Sequence, residues 1–340
     1  MKKVNTKKLT IKKLNIEAFA ARYLSVAAAT LLFFAAFVFG SVSYRGFFDV
    51  QTFLNLFIDK SYLIISALGM TLVILSGGID LSVGSVVALT TMIISSLTEF
   101  AHADPFAAVC IAVITGGVIG FLMGCIIAFW NVPPFIATLA GMFFARGACY
   151  LISIQSISIS NQTLSGLAIW KLRFGTGTGV PFISLNVIIA FIMIIAVIYI
   201  SLHTRFGRNI YAIGGSEQSA VLLGIPVRKT KIAIYTVNGF CSAVSGVVFS
   251  LYMLSGYGLH GQGMEMDAIA AVVIGGTLLS GGVGYVYGSV FGSLTIAIIQ
   301  SLIMFNGRIN SWWTKITVGI LLLLFIGLQR FIVVLGNKKE

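Results

Sequence analysis

The hydrophobic positions of this chain fall in long unbroken runs rather than in an alternating pattern or a single helical stripe. Ten apolar segments stand out, over residues 22–43, 61–78, 81–98, 106–130, 134–154, 185–202, 232–254, 268–283, 284–304 and 313–335. Several reach the roughly 17–25 residues that carry a helix across a bilayer. Helices that are apolar all round have no face to show water. The pattern therefore predicts an all-α, polytopic transmembrane helical bundle of about 10 spans with Gly-interrupted helices. Phe47–Ile58 is also apolar, but short and charged near its ends, and is not counted. Two connections are long: a Ser/Thr/Gly-rich stretch over 155–184 and a basic one over 203–231. The expected organisation is a basic tail over 1–21 and one membrane domain over 22–335, with the 203–231 loop inside it.

One polar, glycine-dense interruption occurs twice. Residues 74–85 read ILSGGIDLSVGS and residues 278–289 read LLSGGVGYVYGS. Breaking a membrane helix frees backbone N–H and C=O groups that lipid cannot satisfy, so they must be buried in protein or face a wet cavity. Gly-broken segments at matching places in two halves point to a solute path. Ser76, Gly77, Gly78, Asp80 and Ser82 of the first copy, with Gly276, Thr277 and Ser280 beside the second, are the candidates. A plainer reading stands next to this one. Gly77 and Gly78 end a helix in the left-handed conformation and Asp80 caps the next. Only the first copy holds a carboxylate, since Gly284 stands where Asp80 would be. Six crossings separate the copies, which makes them a same-sense repeat unless one segment is re-entrant.

Charge refines the picture. The chain has 22 Lys+Arg against 10 Asp+Glu. The basic residues cluster at Lys2 to Arg22, Arg205 to Lys231 and Arg330 to Lys339. These are the flanks expected of cytoplasmic loops, so both termini are expected in the cytoplasm and the excess charge needs no nucleic acid. Cys110, Cys125, Cys149 and Cys241 lie in apolar runs without paired spacing and read as small packing residues. The three histidines, His102, His203 and His260, are far apart, which gives no metal-ligand spacing. No paired catalytic acid and base is apparent, so no catalytic residue is assigned and no metal or cofactor is expected. The chain also lacks a Gly-x-x-x-x-Gly-Lys-Ser/Thr loop, so any ATP is used by another polypeptide.

Within the spans, Arg146 must pair, reach the surface or face water. It shares a segment with Thr138 and Phe143, and an aromatic ring beside hydrogen-bonding groups suits a sugar face. That segment opens with Pro133-Pro134, and proline suits a first helical turn. Gly116, Gly117, Gly120 and Gly124 read as one packing stripe, and Gly284, Gly288 and Gly292 as another. In the basic loop, Gly214-Gly215 breaks the chain and Ser216 can cap a short helix over Glu217–Leu223. Gly224 and Pro226 then stop it. A short helix outside the membrane, on basic flanks, in a chain without an ATPase suggests a docking element for a separate motor.

Four ordered motifs carry a resemblance over essentially the whole chain: GMTLVILSGGIDLSVGSV (69–86), PPFIATLAGMFFARG (133–147), TRFGRNIYAIGGSEQSAVLLGI (204–225) and DAIAAVVIGGTLLSGGVG (267–284). They resemble the ribose-type family of sugar ABC-importer permeases. The stretch Asn310–Ile316 adds a likeness to its galactofuranose branch, whose permease works beside a second, related one. The resemblance implies a non-catalytic, multi-pass subunit of the bacterial inner membrane. Its implied partners are an ABC ATP-binding subunit, a second homologous permease in a heterodimer, and a periplasmic sugar-binding protein. Arg205, Ser216, Glu217, Ser219 and Gly224 are the implied ATPase-coupling residues. Gln218 and Ser219 depart from the alanines of the family's coupling loop. A ribose or other-solute permease remains an alternative, as does a self-sufficient secondary transporter. The latter needs coupling carboxylates, for which Asp80 is the one candidate.

Overall fold

The computed structural model describes residues 26–175, 179–307, 310 and 312–337, with side chains of the last helix described to 327. The basic tail over 1–21 and the extreme C-terminus lie outside the described residues. The fold is helical, with two small ribbons. In chain order the elements are α1 (Val26–Ser43), α2 (Val50–Leu75), α3 (Val83–Glu99), α4 (Pro105–Trp130) and α5 (Pro134–Ile152). Then come β1 (Ile157–Ser158), α6 (Gln162–Ile169), β2 (Lys171–Arg173), β3 (Phe182–Ser184), α7 (Leu185–His203), α8 (Arg205–Gly215) and α9 (Glu217–Leu222). The chain closes with α10 (Val227–Met253), β4 (Ser255–Gly256), α11 (Met264–Ile274), α12 (Val286–Asn306) and α13 (Trp313–Asn337).

Seven of the described helices, α1, α2, α4, α5, α7, α10 and α12, are long and apolar enough to cross a membrane. Two shorter apolar helices, α3 and the described part of α13, accompany them. The remaining expected span, over 268–283, is the 11-residue α11 followed by irregular chain. At roughly 1.5 Å per residue it reaches about half the hydrocarbon thickness. The discounted Phe47–Ile58 stretch instead joins α2, because Asp59 and Lys60 sit inside that helix rather than ending it. The 155–184 loop is also more ordered than its composition suggests. β1 pairs antiparallel with β4 and β2 with β3, and α6 lies between them. Glu99, at the end of α3, accepts from the N–H groups of Ser160 (2.9 Å) and Asn161 (3.0 Å) and so ties this segment down.

α2 is the axis of the bundle. Every residue from Leu63 to Leu75 is buried, against α7, α10, α11 and α12. A helix so enclosed can carry polar groups only if they find partners. Thr71 donates to Ala67 O (2.6 Å), and its hydroxyl meets that of Ser289 on α12 at 2.7 Å. The glycine stripe of α4 does the packing expected of it. A Cβ on Gly116 would lie 2.8 Å from Gly239 O of α10, and one on Gly120 would lie 2.2 Å from Tyr235 O. Gly117 faces open space and leaves the stripe. On α12, Gly288 and Gly292 press on Gly275 and Ala271 of the α11 segment, whereas Gly284 precedes the helix.

Substituting leucine at Gly120 should force α4 from α10 and destabilise the fold by about 1–3 kcal/mol or more. Leucine at Gly117 should be nearly neutral. Thermal unfolding of the two variants in detergent, followed by monodispersity on gel filtration, checks this; equal behaviour would contradict the packing.

Candidate functional site

The first interruption closes α2 by local hydrogen bonding. Gly77 has φ +82° and its N–H donates to Ile74 O (2.9 Å), while Gly78 N–H donates to Val73 O (3.0 Å). This left-handed cap satisfies carbonyls the broken helix would strand. Asp80 is fully buried and does not cap α3, whose cap position is Ser82. Its carboxylate accepts from Ser82 N–H (2.8 Å), Ser82 Oγ (2.6 Å) and, from α10, Asn238 Nδ2 (2.7 Å). Asp80 therefore pins the first break to α10. Thr138 adds a strut from α5: it accepts from Leu81 N–H (3.2 Å) and donates to Pro134 O (2.9 Å).

The second interruption is longer. α11 ends at Ile274 and is closed by Gly276 (φ +91°), whose N–H donates to Val273 O (2.9 Å), while Thr277 N–H donates to Val272 O (3.2 Å). This is the same cap as in the first break, but it lies upstream of the repeated Leu-Ser-Gly-Gly. The repeat itself forms a turn, with Gly281 N–H donating to Leu278 O (3.0 Å). Gly77 and Gly281 share a positive φ, so the likeness is local. The missing carboxylate has a steric cause. Gly284 has φ +149°, and a Cβ there would lie 2.4 Å from Thr277 Oγ1.

The two interruptions meet each other and the loop after α7. Gly282 N–H donates to Leu75 O (2.9 Å), binding break to break. Gly214, at the end of α8, fits against the same spot: a Cβ there would lie 1.8 Å from Leu75 O and 2.5 Å from Gly282 N. Tyr211 Oη donates to Gly284 O (2.9 Å). Leu202, Arg208, Tyr211 and Gly282 to Tyr285 line a cleft of ≈ 290 Å³ beside this junction. Thr204 caps α8 through Gly207 N–H (3.2 Å) and Ser216, itself extended, caps α9 through Ser219 N–H (3.2 Å), so two short helices packed through Ile213 and Ala220 run on from the junction.

The expected pathway residues thus divide. Ser76, Gly77, Gly78, Gly276, Thr277 and Ser280 gather around the junction, with Gly77 and Ser280 exposed. Asp80, Ser82 and Thr138 are buried struts behind it. Phe143 projects outward from α5, 65% exposed. Arg146 turns from the junction and donates to the carbonyls of Gly258 (2.6 Å) and His260 (2.8 Å), which answers its need for partners. Burial and the Arg146 charge hold the His260 imidazole below its usual pKa. In the coupling set, Arg205 opens α8 and Ser216, Glu217, Ser219 and Gly224 lie exposed around α9. Glu217 pairs with Lys231 of α10 at 2.7 Å, and Gly224 has φ +74°. Sequence reasoning missed Tyr211 and Gly214, which only their spatial neighbours reveal. Asn238 could have been suspected as an amide inside an apolar run.

The family model described as "Branched-chain amino acid transport system / permease component" matches residues 52–326. Among curated proteins, the chain is 43% identical to the inner membrane ABC transporter permease protein YjfF of Escherichia coli K12, covering 91% of this chain and 92% of that one. It is 38% identical to the fructose import permease protein FruG of Bifidobacterium longum NCC 2705, covering 92% of each. It is 36% identical to the ribose import permease protein RbsC of E. coli K12, covering 86% and 88%. No solved structure gives a significant match.

Asp80→Ala should strand the buried Ser82 and Asn238 donors at a cost of about 1–3 kcal/mol per group, and Asp80→Asn, which keeps one acceptor oxygen, should cost less. Thermal unfolding of both variants tests this; an unchanged midpoint in the alanine variant would contradict the role of Asp80 as a pin.

Proposed function

The chain belongs to the branched-chain amino acid transport system / permease component family, and on that premise we propose that it is the permease of an ATP-driven importer carrying a monosaccharide across a bacterial inner membrane. The observation that carries this reading is the shared junction, where α8, with α9 packed on it, abuts both interrupted helices through Gly214. A force on α9 reaches Leu75 and Gly282 through the Ile213–Ala220 packing and the single extended residue Ser216. The 203–231 segment is then cytoplasmic, with both termini on that side, and about ten passes result if α3, α11 and α13 complete the crossing. The tail and 22–335 form one polypeptide half of a pathway, completed by a second homologous permease. A periplasmic binding protein delivers the sugar.

α9 presents Leu222 and Leu223 at 89% and 78% exposed, outside any apolar span. Exposed leucines on a capped helix suit insertion into a groove of an ATP-binding subunit. Hydrolysis there would tilt α8 and α9, part the Gly282–Leu75 contact and open the path past Ser76, Gly77 and Ser280. Tyr235 Oη and Asn238 Oδ1 are buried beside the first break without partners among the described residues, which supports a second arrangement in which they gain them. A sugar fits because hydroxyls can use freed backbone groups and an aromatic such as Phe143 without a charged cradle. The fructose and ribose transported by two relatives support the class. The finer assignment, to a galactofuranose-like sugar, rests on the Asn310–Ile316 stretch. An amino acid would need opposite charges for its two ends; Arg208 lines the cleft, but Asp80 is buried behind the junction and already filled by three donors.

The decisive experiment measures labelled-sugar uptake into vesicles containing this chain with and without its ATPase. Uptake driven by a proton gradient without ATPase would defeat the reading. Leu222→Asp with Leu223→Asp should cut ATPase co-purification at least ~10-fold, the equivalent of about 1.4 kcal/mol. Gly214→Ala should leave docking intact and reduce uptake at least as much, because its methyl enters the space of Leu75 O; normal uptake in that variant would remove the junction from the mechanism.

A further inference from the structure

On the side of the bundle away from α9, a pocket of ≈ 260 Å³ is lined by Lys60, Asp267, Gln300, Trp312, Thr314 and Lys315, with Ile296 at its apolar wall. Lys60 lies about 22 Å along α2 from Leu75, at roughly 1.5 Å per residue, which sets the pocket near the opposite membrane boundary. Its charges do not balance. Lys315 reaches both oxygens of Asp267, at 2.9 and 2.7 Å. Among the described residues no carboxylate comes within ion-pair distance of Lys60, whose contacts are the Tyr62 hydroxyl at 3.4 Å and the Tyr62 ring at 5.7 Å. Asp59, beside Lys60 in the chain, accepts a hydrogen bond from Tyr252 and does not line the pocket, so two ammonium groups against one carboxylate leave the lining itself at net +1. A cation in a membrane helix is tolerated when it pairs or faces water.

The surface below the pocket is equally specific. Trp312, in the turn just before α13, and Ile316, Ile320 and Leu323 along the helix recur at helical spacing, all exposed. Such a stripe is one face of a helix. It has an indole at the level where tryptophan meets the headgroups, and beneath it three aliphatic side chains that suit a hydrocarbon tail.

We infer that this pocket holds the phosphate of an anionic phospholipid of the outer leaflet, with Lys60 and Lys315 facing the phosphodiester and an acyl chain along Ile316, Ile320 and Leu323. Gln300 and Thr314 supply hydrogen bonds for headgroup hydroxyls. The charge matches: one phosphodiester neutralises the surplus ammonium. An inorganic phosphate shares that charge but makes no use of the apolar stripe. The outer-leaflet placement rests on the orientation proposed above, whereas the charge and the apolar stripe do not, so a failed lipid test would leave the transport reading standing.

The test is native mass spectrometry of the full chain released from nanodiscs containing equal phosphatidylglycerol and phosphatidylcholine. Wild-type protein should retain phosphatidylglycerol at least ~10-fold over phosphatidylcholine, as expected for charge-assisted contacts. Lys60→Gln should abolish the preference, Lys60→Arg should keep it, and millimolar inorganic phosphate should not displace the lipid. Equal retention of the two lipids by wild type, or an undiminished preference in Lys60→Gln, would overturn the assignment. Displacement by inorganic phosphate would also overturn it, by giving the pocket to a soluble anion. If Lys60→Gln fails to insert, the wild-type competition still decides.

Discussion

A hydrogen bond between two broken helices governs this molecule. Inside a bilayer, every backbone N–H and C=O released by a helix break must find a partner that is not lipid. Here the breaks answer part of that demand for each other: the N–H of Gly282 meets the carbonyl of Leu75, while each helix end folds back on its own last turn. Residues without side chains are needed where so many backbones converge. Gly77, Gly214, Gly281 and Gly282 all stand within a few ångströms of another segment's main chain. The crowding of glycine in this region is a steric requirement of one meeting point rather than a general looseness.

That meeting point also gives meaning to polar residues that would otherwise be costly. A buried carboxylate is tolerated only when its oxygens are well supplied with donors. Asp80 receives them from the chain two residues on and from Asn238 across the interface. Arg146 solves the same problem differently, through two loop carbonyls. Neither residue is free to greet a solute in this arrangement. The exposed members of the candidate pathway at the junction are Gly77 and Ser280, which offer main-chain and hydroxyl groups, while the exposed Phe143 stands apart on α5.

Much of this was legible in the amino-acid order. The spans showed themselves because apolar runs are a length signal that needs no tertiary information, and α4, α5, α7 and α10 appear close to where the runs lie. The short helix after Gly215 was equally readable, since Ser216, Gly224 and Pro226 act through local geometry. What misled was charge. Asp59 and Lys60 looked like the end of a segment but lie within α2, where Lys60 faces the pocket it shares with Asp267 and Lys315. The repeated Leu-Ser-Gly-Gly was visible, but not that it ends a helix in one copy and forms a later turn in the other. That difference depends on Gly275 and Gly276, six residues upstream of the second pair. Gly214-Gly215 reads as a chain break in the sequence, whereas α8 runs through both and breaks at Ser216; that Gly214 rather than Gly215 presses on Leu75 is visible only in space.

The ion pair between Glu217 and Lys231 has a mechanical consequence. Lys231 sits near the foot of α10, and Asn238, two turns higher on the same helix, grips Asp80. The α8–α9 segment is therefore held at two points, one at the glycine meeting point and one at the base of a 27-residue strut. A push on its tip would bear on both breaks through Gly214 and on the first again through Asn238 and Asp80, so one displacement would be felt at both together.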